Sequence, residues 1–292
     1  MKVIITGKGG QLAWELEQLA PSEHEVLSVG INELDITNES LVSEFISTEK
    51  PDLVINAAAY TAVDKAEENI ETAYAVNELG SRYLANACNK INARILHVST
   101  DFVFDGTNTT PYQTDAKPNP INVYGASKLA GDIALQEILP VTSVIVRTAW
   151  VYSLNGNNFV KSMLRLMQEK PQLGIIYDQV GTPTWAKGLA QWLWAVAAKP
   201  EVTGLYHWTD AGIASWYDFA IAIQELGIDK GLLSEAIPVL PIPSSAYPTP
   251  AKRPAFSVID KSSAEAVSGI NTIHWRKQLS AMMDELKSSD LK

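Results

Sequence analysis

Lys2-Val3-Ile4-Ile5-Thr6-Gly7-Lys8-Gly9-Gly10-Gln11-Leu12-Ala13 reads as a strand, a glycine turn and the opening of a helix. The β-branched run from Val3 to Thr6 suits a buried strand. Gly7 and Gly10 permit positive φ and let the backbone approach a pyrophosphate. The free N–H groups that open the helix then hold the anion. Ala13 is small enough for close packing of helix on strand. Counted from Gly7 the pattern is G-x-x-G-x-x-A, and it assigns Gly7, Gly10, Gln11 and Leu12 to cofactor binding. A tight strand-to-helix turn without a ligand is the plainer alternative. The position at the first β–α junction favours the dinucleotide.

Outward from this turn the first half repeats the same alternation. Val26–Val29, Leu53–Ile55, Ile95–Val98 and Val144–Val146 are apolar, strand-like runs. Residues 11–19, 40–49, 67–90 and 124–138 carry helical patterns between them. Apolar runs without alternation, separated by helices, indicate parallel strands covered on both faces. The expected fold is therefore α/β: a Rossmann-like doubly wound parallel sheet, with a smaller α/β substrate-binding domain. Ligands are expected at the carboxyl ends of the strands. Residues 1–150 form the dinucleotide-binding domain, joined by parts of 175–225. Residues 151–292 are mainly the substrate-binding domain, interleaved with the first. Helices are expected over 158–169, 185–199 and 273–286. The six prolines between Pro238 and Pro254 read as a loop excursion without a regular element.

Composition narrows the function. The chain has 292 residues and a net charge of −10, which argues against nucleic-acid or anionic-membrane partners because both need a basic face. No apolar run is long enough to span a membrane, and Lys2 to Thr6 is too short for a signal-peptide core. The one cysteine, Cys88, cannot form an internal disulfide and fits a reducing compartment. The four histidines match no metal-ligand spacing. A cytoplasmic protein is expected.

The end of the second strand contacts the adenosine ribose in such folds, an acid there selecting NAD and a base NADP. Gly30 is neither, and leaves room for a 2′-phosphate with no carboxylate to repel it. NADPH is expected, with NADH as the other candidate. Asp35-Ile36 follows where a side chain can meet the adenine, although Asp35, Thr37 and Asn38 are also helix-capping types. Tyr124 and Lys128 lie four apart at the start of a helix and share one face. The ammonium would favour the phenolate and bring the phenol closer to useful acid strength. The pair alone is nonspecific; its position after Val98-Ser99-Thr100-Asp101 carries the information. Thr100 ends a central strand, where its hydroxyl can bond a carbonyl oxygen while Tyr124 protonates it.

These elements together resemble the extended short-chain dehydrogenases/reductases, and within them the dTDP-4-dehydrorhamnose reductase family. The resemblance runs through Gly7–Leu12, Asn56–Glu67, Ser99–Gly106, Asn122–Gly131, Arg147–Tyr152, Gly156–Phe159, Asp178–Thr184 and Ser245–Pro254. It implies Thr100, Tyr124 and Lys128 as a catalytic triad. Ala57, Ala58, Ala59, Tyr60 and Asn77 would line the cofactor cleft. Phe102, Trp150, Asn158 and Arg253 would face a dTDP-sugar, Trp150 otherwise being a core aromatic and Arg253 a solvated loop residue. The implied reaction is NADPH-dependent reduction of a 4-keto sugar nucleotide in rhamnose biosynthesis. Four departures stand out: Ala13 for a third glycine, Phe102 for a tyrosine, Phe256 for an asparagine, and Lys187 and Gln191 for acidic residues. Some relatives bridge a dimer with magnesium through Glu15 and those acids. No structural metal is therefore expected here, and the chain should be a monomer or a weak, metal-independent dimer. A dehydratase or epimerase of the same fold is an alternative, but the dehydratases carry an acidic pair after the threonine and only Asp101 is present. A noncatalytic NADP-binding regulatory subunit is the other.

Overall fold

The structure, a computed structural model, describes residues 1–290. Five strands, β1 (Lys2–Thr6), β2 (Glu25–Val29), β3 (Leu53–Asn56), β4 (Arg94–Thr100) and β5 (Ser143–Thr148), join a sixth, Gly204–His207. All pair in parallel, in the spatial order sixth-β5-β4-β3-β1-β2. β3 and β5 are buried along their whole length, as covering on both faces requires. Strand β1 lies between β2 and β3, so the chain leaves it on one side and returns on the other. The carboxyl ends of β1 and β3 thus flank a topological switch point, where open α/β sheets bind ligands.

One face of the sheet is covered by α1 (Gln11–Gln18) and the helix Ala186–Ala197, whose Leu12, Leu16, Leu189 and Trp192 share a core with Val3 and Ile5. The other is covered by α2 (Glu39–Glu49) and the helices Gly80–Ile91 and Val123–Ile138, through Val42, Ile46, Leu84 and Leu135. A separate core gathers Met163, Phe219, Leu279 and Met282 from the helices Phe159–Glu169, Trp216–Asp229 and Trp275–Asp290.

The structure corrects the sequence reading in two places. The proline-rich stretch contains a strand, Val239–Ile242, paired in parallel with Leu173–Ile176. Pro241 is tolerated there because the ladder has only two strands and its missing donor faces outward, where the residue is exposed. The helix Trp216–Asp229 is absent from the reading, yet it opens with a full capping box. Ser215 Oγ accepts from Asp218 N at 3.0 Å, and the Asp218 carboxylate accepts from Ser215 N at 2.9 Å. The 67–90 stretch is helical from Ile70 onward, with a π turn at Ala75–Leu79.

Candidate active site

Gly7 sits at φ +83°, and a Cβ there would lie 2.8 Å from the Ala57 carbonyl oxygen. Only glycine lets the turn after β1 pack directly on the loop after β3. Gly10 caps α1 with no side-chain hydrogen bond, which leaves the first N–H groups of that helix free for an anion. Thr6 Oγ1 donates to Asn56 Oδ1 (2.7 Å) and accepts from Ala58 N (3.2 Å), fixing the start of the Ala57–Tyr60 loop. Asn77, in the π turn, is buried. It accepts from Tyr60 N at 2.9 Å and donates to Tyr60 O at 3.1 Å and Ser127 Oγ at 3.0 Å. Its side chain therefore clamps the loop from behind, while Ala57, Ala58, Ala59 and Tyr60 stay half-buried along the crevice.

The end of β2 is not free of carboxylate, as the glycine there suggests. Gly30 N donates to Glu33 Oε2 at 3.0 Å, and the Lys8 ammonium lies 3.5 Å from Glu33 Oε1. The Gly30 N–H holds the Glu33 carboxyl below its usual range. An acid and a base thus both stand at the end of β2. Asp35 Oδ1 accepts from Thr37 N and Oγ1 in a local turn, Ile36 is buried, and Asn38 caps α2.

Strand β4 delivers Thr100 to the crevice, followed by a tight turn, Asp101–Val103. The Val123–Ile138 helix packs on that turn. Gly125 makes this possible, because a Cβ would run into the Phe102 carbonyl oxygen. The helix start is fixed by Asn122, whose Oδ1 accepts from Gly125 N (2.7 Å) and whose amide donates to Lys252 O (2.8 Å). Glu67 accepts from Val123 N at 2.9 Å. Tyr124 is thereby brought beside Thr100, edge-on to Phe102 with ring centroids 5.7 Å apart. Burial pushes its phenol up to about 12.

Lys128 is buried, and its Nζ donates to Val98 O at 2.7 Å and lies 3.3 Å from His97 Nε2. Burial lowers it to about 8, against the pull of Asp132. Lys128 is bonded to the strand behind, and burial, which raises Tyr124, outweighs the acidification expected from its ammonium. Behind Lys128 lies a buried polar cluster. Asn56 Nδ2 meets His97 Nδ1 at 3.0 Å, and Arg147 Nε pairs with Asp132 Oδ2 at 3.2 Å. His97, between these groups, is held well below its usual pKa by burial and by Lys128.

On the far side of the crevice Trp150 has φ +47°, a strained value for a bulky residue, and stacks on Trp216 with centroids 3.5 Å apart. Trp216 is the residue that sequence reasoning missed here; its signal is the capping box that starts its helix. Asn158 is spent inside the protein. It caps the Phe159–Glu169 helix and donates to Gln11 Oε1 (3.1 Å) and Ser153 O (2.7 Å). Arg253 is not a solvated loop residue. Its guanidinium forms a two-pronged pair with Asp64, at 3.0 and 2.7 Å. Lys187 pairs with Glu285 at 2.6 Å, while Glu15 accepts from Ser153 Oγ and Trp185 Nε1. Among the described residues no three His, Cys, Asp or Glu side chains gather as a metal site, and no helix is long and apolar enough to cross a membrane.

The profile of the family described as RmlD substrate binding domain matches residues 1–288. The dTDP-4-dehydrorhamnose reductase of Aggregatibacter actinomycetemcomitans is 42% identical over 285 residues, which cover 95% of this chain and 97% of that protein. A solved dTDP-4-dehydrorhamnose reductase from Clostridium acetobutylicum superposes with a TM-score of 0.92 at 41% identity, covering 98% of this chain and 100% of that one. Another, from Bacillus anthracis in complex with NADP, superposes with a TM-score of 0.91 at 34% identity, covering 97% and 99%.

Proposed function

This chain belongs to the RmlD substrate binding domain family, and on that premise we propose that it reduces the C4 ketone of dTDP-4-dehydro-L-rhamnose to dTDP-L-rhamnose with NADPH. The step belongs to rhamnose and cell-surface polysaccharide biosynthesis. The observation that carries the reading is the meeting of Thr100 and Tyr124, with Lys128 beneath them, one crevice away from the uncapped start of α1.

The residues fit a dinucleotide. The glycine turn after β1 and the free N–H groups of α1 form a phosphate cradle, and the loop held by Thr6 and Asn77, packed directly on Gly7, forms the adjoining wall. Bound there, NADPH supplies a hydride. Thr100 and Tyr124 place hydroxyls at the ketone oxygen, which gathers negative charge only as reduction proceeds, so they favour the transition state over the ground state. Tyr124, kept a neutral phenol by burial, is loaded as the proton donor and gives its Oη proton to the nascent alkoxide. Lys128 is largely charged at neutral pH and stabilises the phenolate left behind. Trp150, backed by Trp216, walls the sugar alongside Phe102, and Arg253 meets the diphosphate. Asp35 and Ile36 border the adenine. Asn158 acts indirectly, by holding Gln11.

Residues 1–150 with the segment from Ala186 to Trp208 make the dinucleotide-binding domain, and the rest of 151–292 the substrate-binding domain. The enzyme works in the cytoplasm as a monomer or a metal-independent dimer. The test supplies the 4-keto nucleotide sugar with NADPH, follows nicotinamide absorbance and identifies the product sugar. Unreduced substrate, or a different epimer, rejects the reading.

A further inference from the structure

We propose that Asp101 is a positioning residue that sets which way the single hydroxyl hydrogen of Thr100 points, and so decides whether Thr100 donates to the ketone oxygen. This rests on the reductase reading above. Thr100 Oγ1 lies 3.0 Å from Asp101 Oδ1 and accepts from Phe102 N at 3.2 Å. An ionised carboxylate only accepts, so it takes the one hydrogen that a threonine hydroxyl has. Thr100 is then left with only lone pairs to offer, and its hydrogen is not directed at the substrate. A protonated Asp101 reverses the chain. Its own O–H donates to Thr100 Oγ1, and the threonine hydrogen is released toward the ketone oxygen. No proton is consumed at Asp101 during turnover; the alkoxide takes its proton from Tyr124.

Three observations favour a carboxyl that changes state over an inert cap. Asp101 is 2% exposed, and its Oδ2 has no hydrogen-bond partner. A buried carboxylate oxygen without a donor is costly, which favours the neutral form. The turn is also fixed by the close packing of Gly125, so the side chain stays next to Thr100. Burial accordingly pushes the carboxyl up to about 6, against the Thr100 hydroxyl and the Asp101 and Phe102 N–H groups beside it. The Val123–Ile138 helix presents Tyr124 toward it, with Lys128 and Asp132 further along, and the 255–258 segment presents Ser257.

The test compares kcat/KM from about pH 5 to about pH 9 for the native enzyme, Asp101→Asn and Thr100→Val. The native value should fall as pH rises through the Asp101 titration, toward a plateau lower by roughly 10²–10³-fold, the loss of one oxyanion donor. The carboxamide NH2 donates at every pH, so Asp101→Asn should keep measurable turnover and lack that fall. Thr100→Val, with no hydroxyl to orient, should lack it too. In the ligand-free protein, ¹³C-carboxyl NMR should show an aspartate titrating near 6 that disappears in Asp101→Asn and moves to higher pH in Thr100→Val. An Asp101→Asn profile that tracks the native one overturns the inference. So does loss of its turnover at every pH with folding and NADPH binding intact, or an Asp101 titration indifferent to Thr100→Val. A native enzyme that reduces no ketone would instead sink the reductase reading, while the NMR comparison still decides the Asp101–Thr100 coupling.

Discussion

Tyr124 and Lys128 carry opposite costs of burial, and each is suited to reduction. A phenol pushed up to about 12 remains protonated and ready to donate, so Tyr124→Phe should lower kcat by about 10²–10⁴ with NADPH affinity preserved in a fluorescence titration. A lysine lowered to about 8 by burial is a cost to stability. Between 8 and the ordinary value of 10.5 the unfolded chain binds more protons than the native one, so native stability rises with pH through that window. Lys128→Met should abolish that rise, gain about 1–3 kcal/mol at neutral pH in urea unfolding, and lose turnover. The spacing of Tyr124 and Lys128 was legible in sequence, but the ammonium's partner was not, because nothing local marks the Val98 carbonyl as its acceptor. Glu33 is a similar case. Its fold-back onto Gly30 N–H depends on a three-residue turn that composition does not reveal. Removing its charge beside Lys8 should favour the 2′-phosphate, so Glu33→Gln should raise the NADPH-to-NADH affinity ratio by roughly two- to fivefold, the range of a screened charge contact. An unchanged ratio in paired titrations would place the ribose elsewhere.

At the scale of elements, the decisive contact is the Val123–Ile138 helix seated on the Asp101–Val103 turn. Gly125→Ala should force these apart, costing about 1–3 kcal/mol by thermal unfolding. Its loss of kcat should exceed what that destabilisation accounts for, because Tyr124 and Thr100 separate. Full stability would show that the helix can shift without strain. The strands and helices of the first half were legible because each apolar run has one period and a turn signal at its end. Less was legible after residue 150. The strand Val239–Ile242 hides behind Pro241, whose meaning depends on whether its ladder has a third strand. The Trp216–Asp229 helix carries its signal in Ser215 and Asp218, a capping box that lies outside the apolar spacing. Asn77 and Asn158 lay in the right segments. Their side chains nevertheless face the protein, because each satisfies backbone groups that a turn or helix end would otherwise leave unpaired.

Over the whole molecule, the 245–254 loop is fastened to two helices that border the crevice. Residues 245–254 reach back across the chain and are held at two points. Asn122 donates to Lys252 O, and Asp64 grips Arg253 while also accepting from Ala251 N at 3.2 Å. The first anchor belongs to the helix that carries Tyr124, and the second to the short helix Val63–Ala66 beyond the cofactor loop. The loop therefore joins the proposed proton donor, the proposed cofactor wall and the proposed diphosphate contact into one arrangement. Arg253 holds the Asp64 carboxyl below its usual range. The pair is consequently intact at neutral pH and loosens only as pH falls through that lowered value, below 3.8. Asp64→Asn keeps the shape of the side chain but gives up the two-pronged pairing, so Arg253 loses its fixed direction. Binding of the nucleotide sugar should weaken, with KM rising roughly tenfold, the cost of about one charge-assisted hydrogen bond. Turnover at saturation should change much less, since Thr100, Tyr124 and Lys128 are untouched, and NADPH affinity should stay the same. A kcat loss at constant KM would mean that the loop acts on the proton donor through Asn122 and not on the substrate through Arg253.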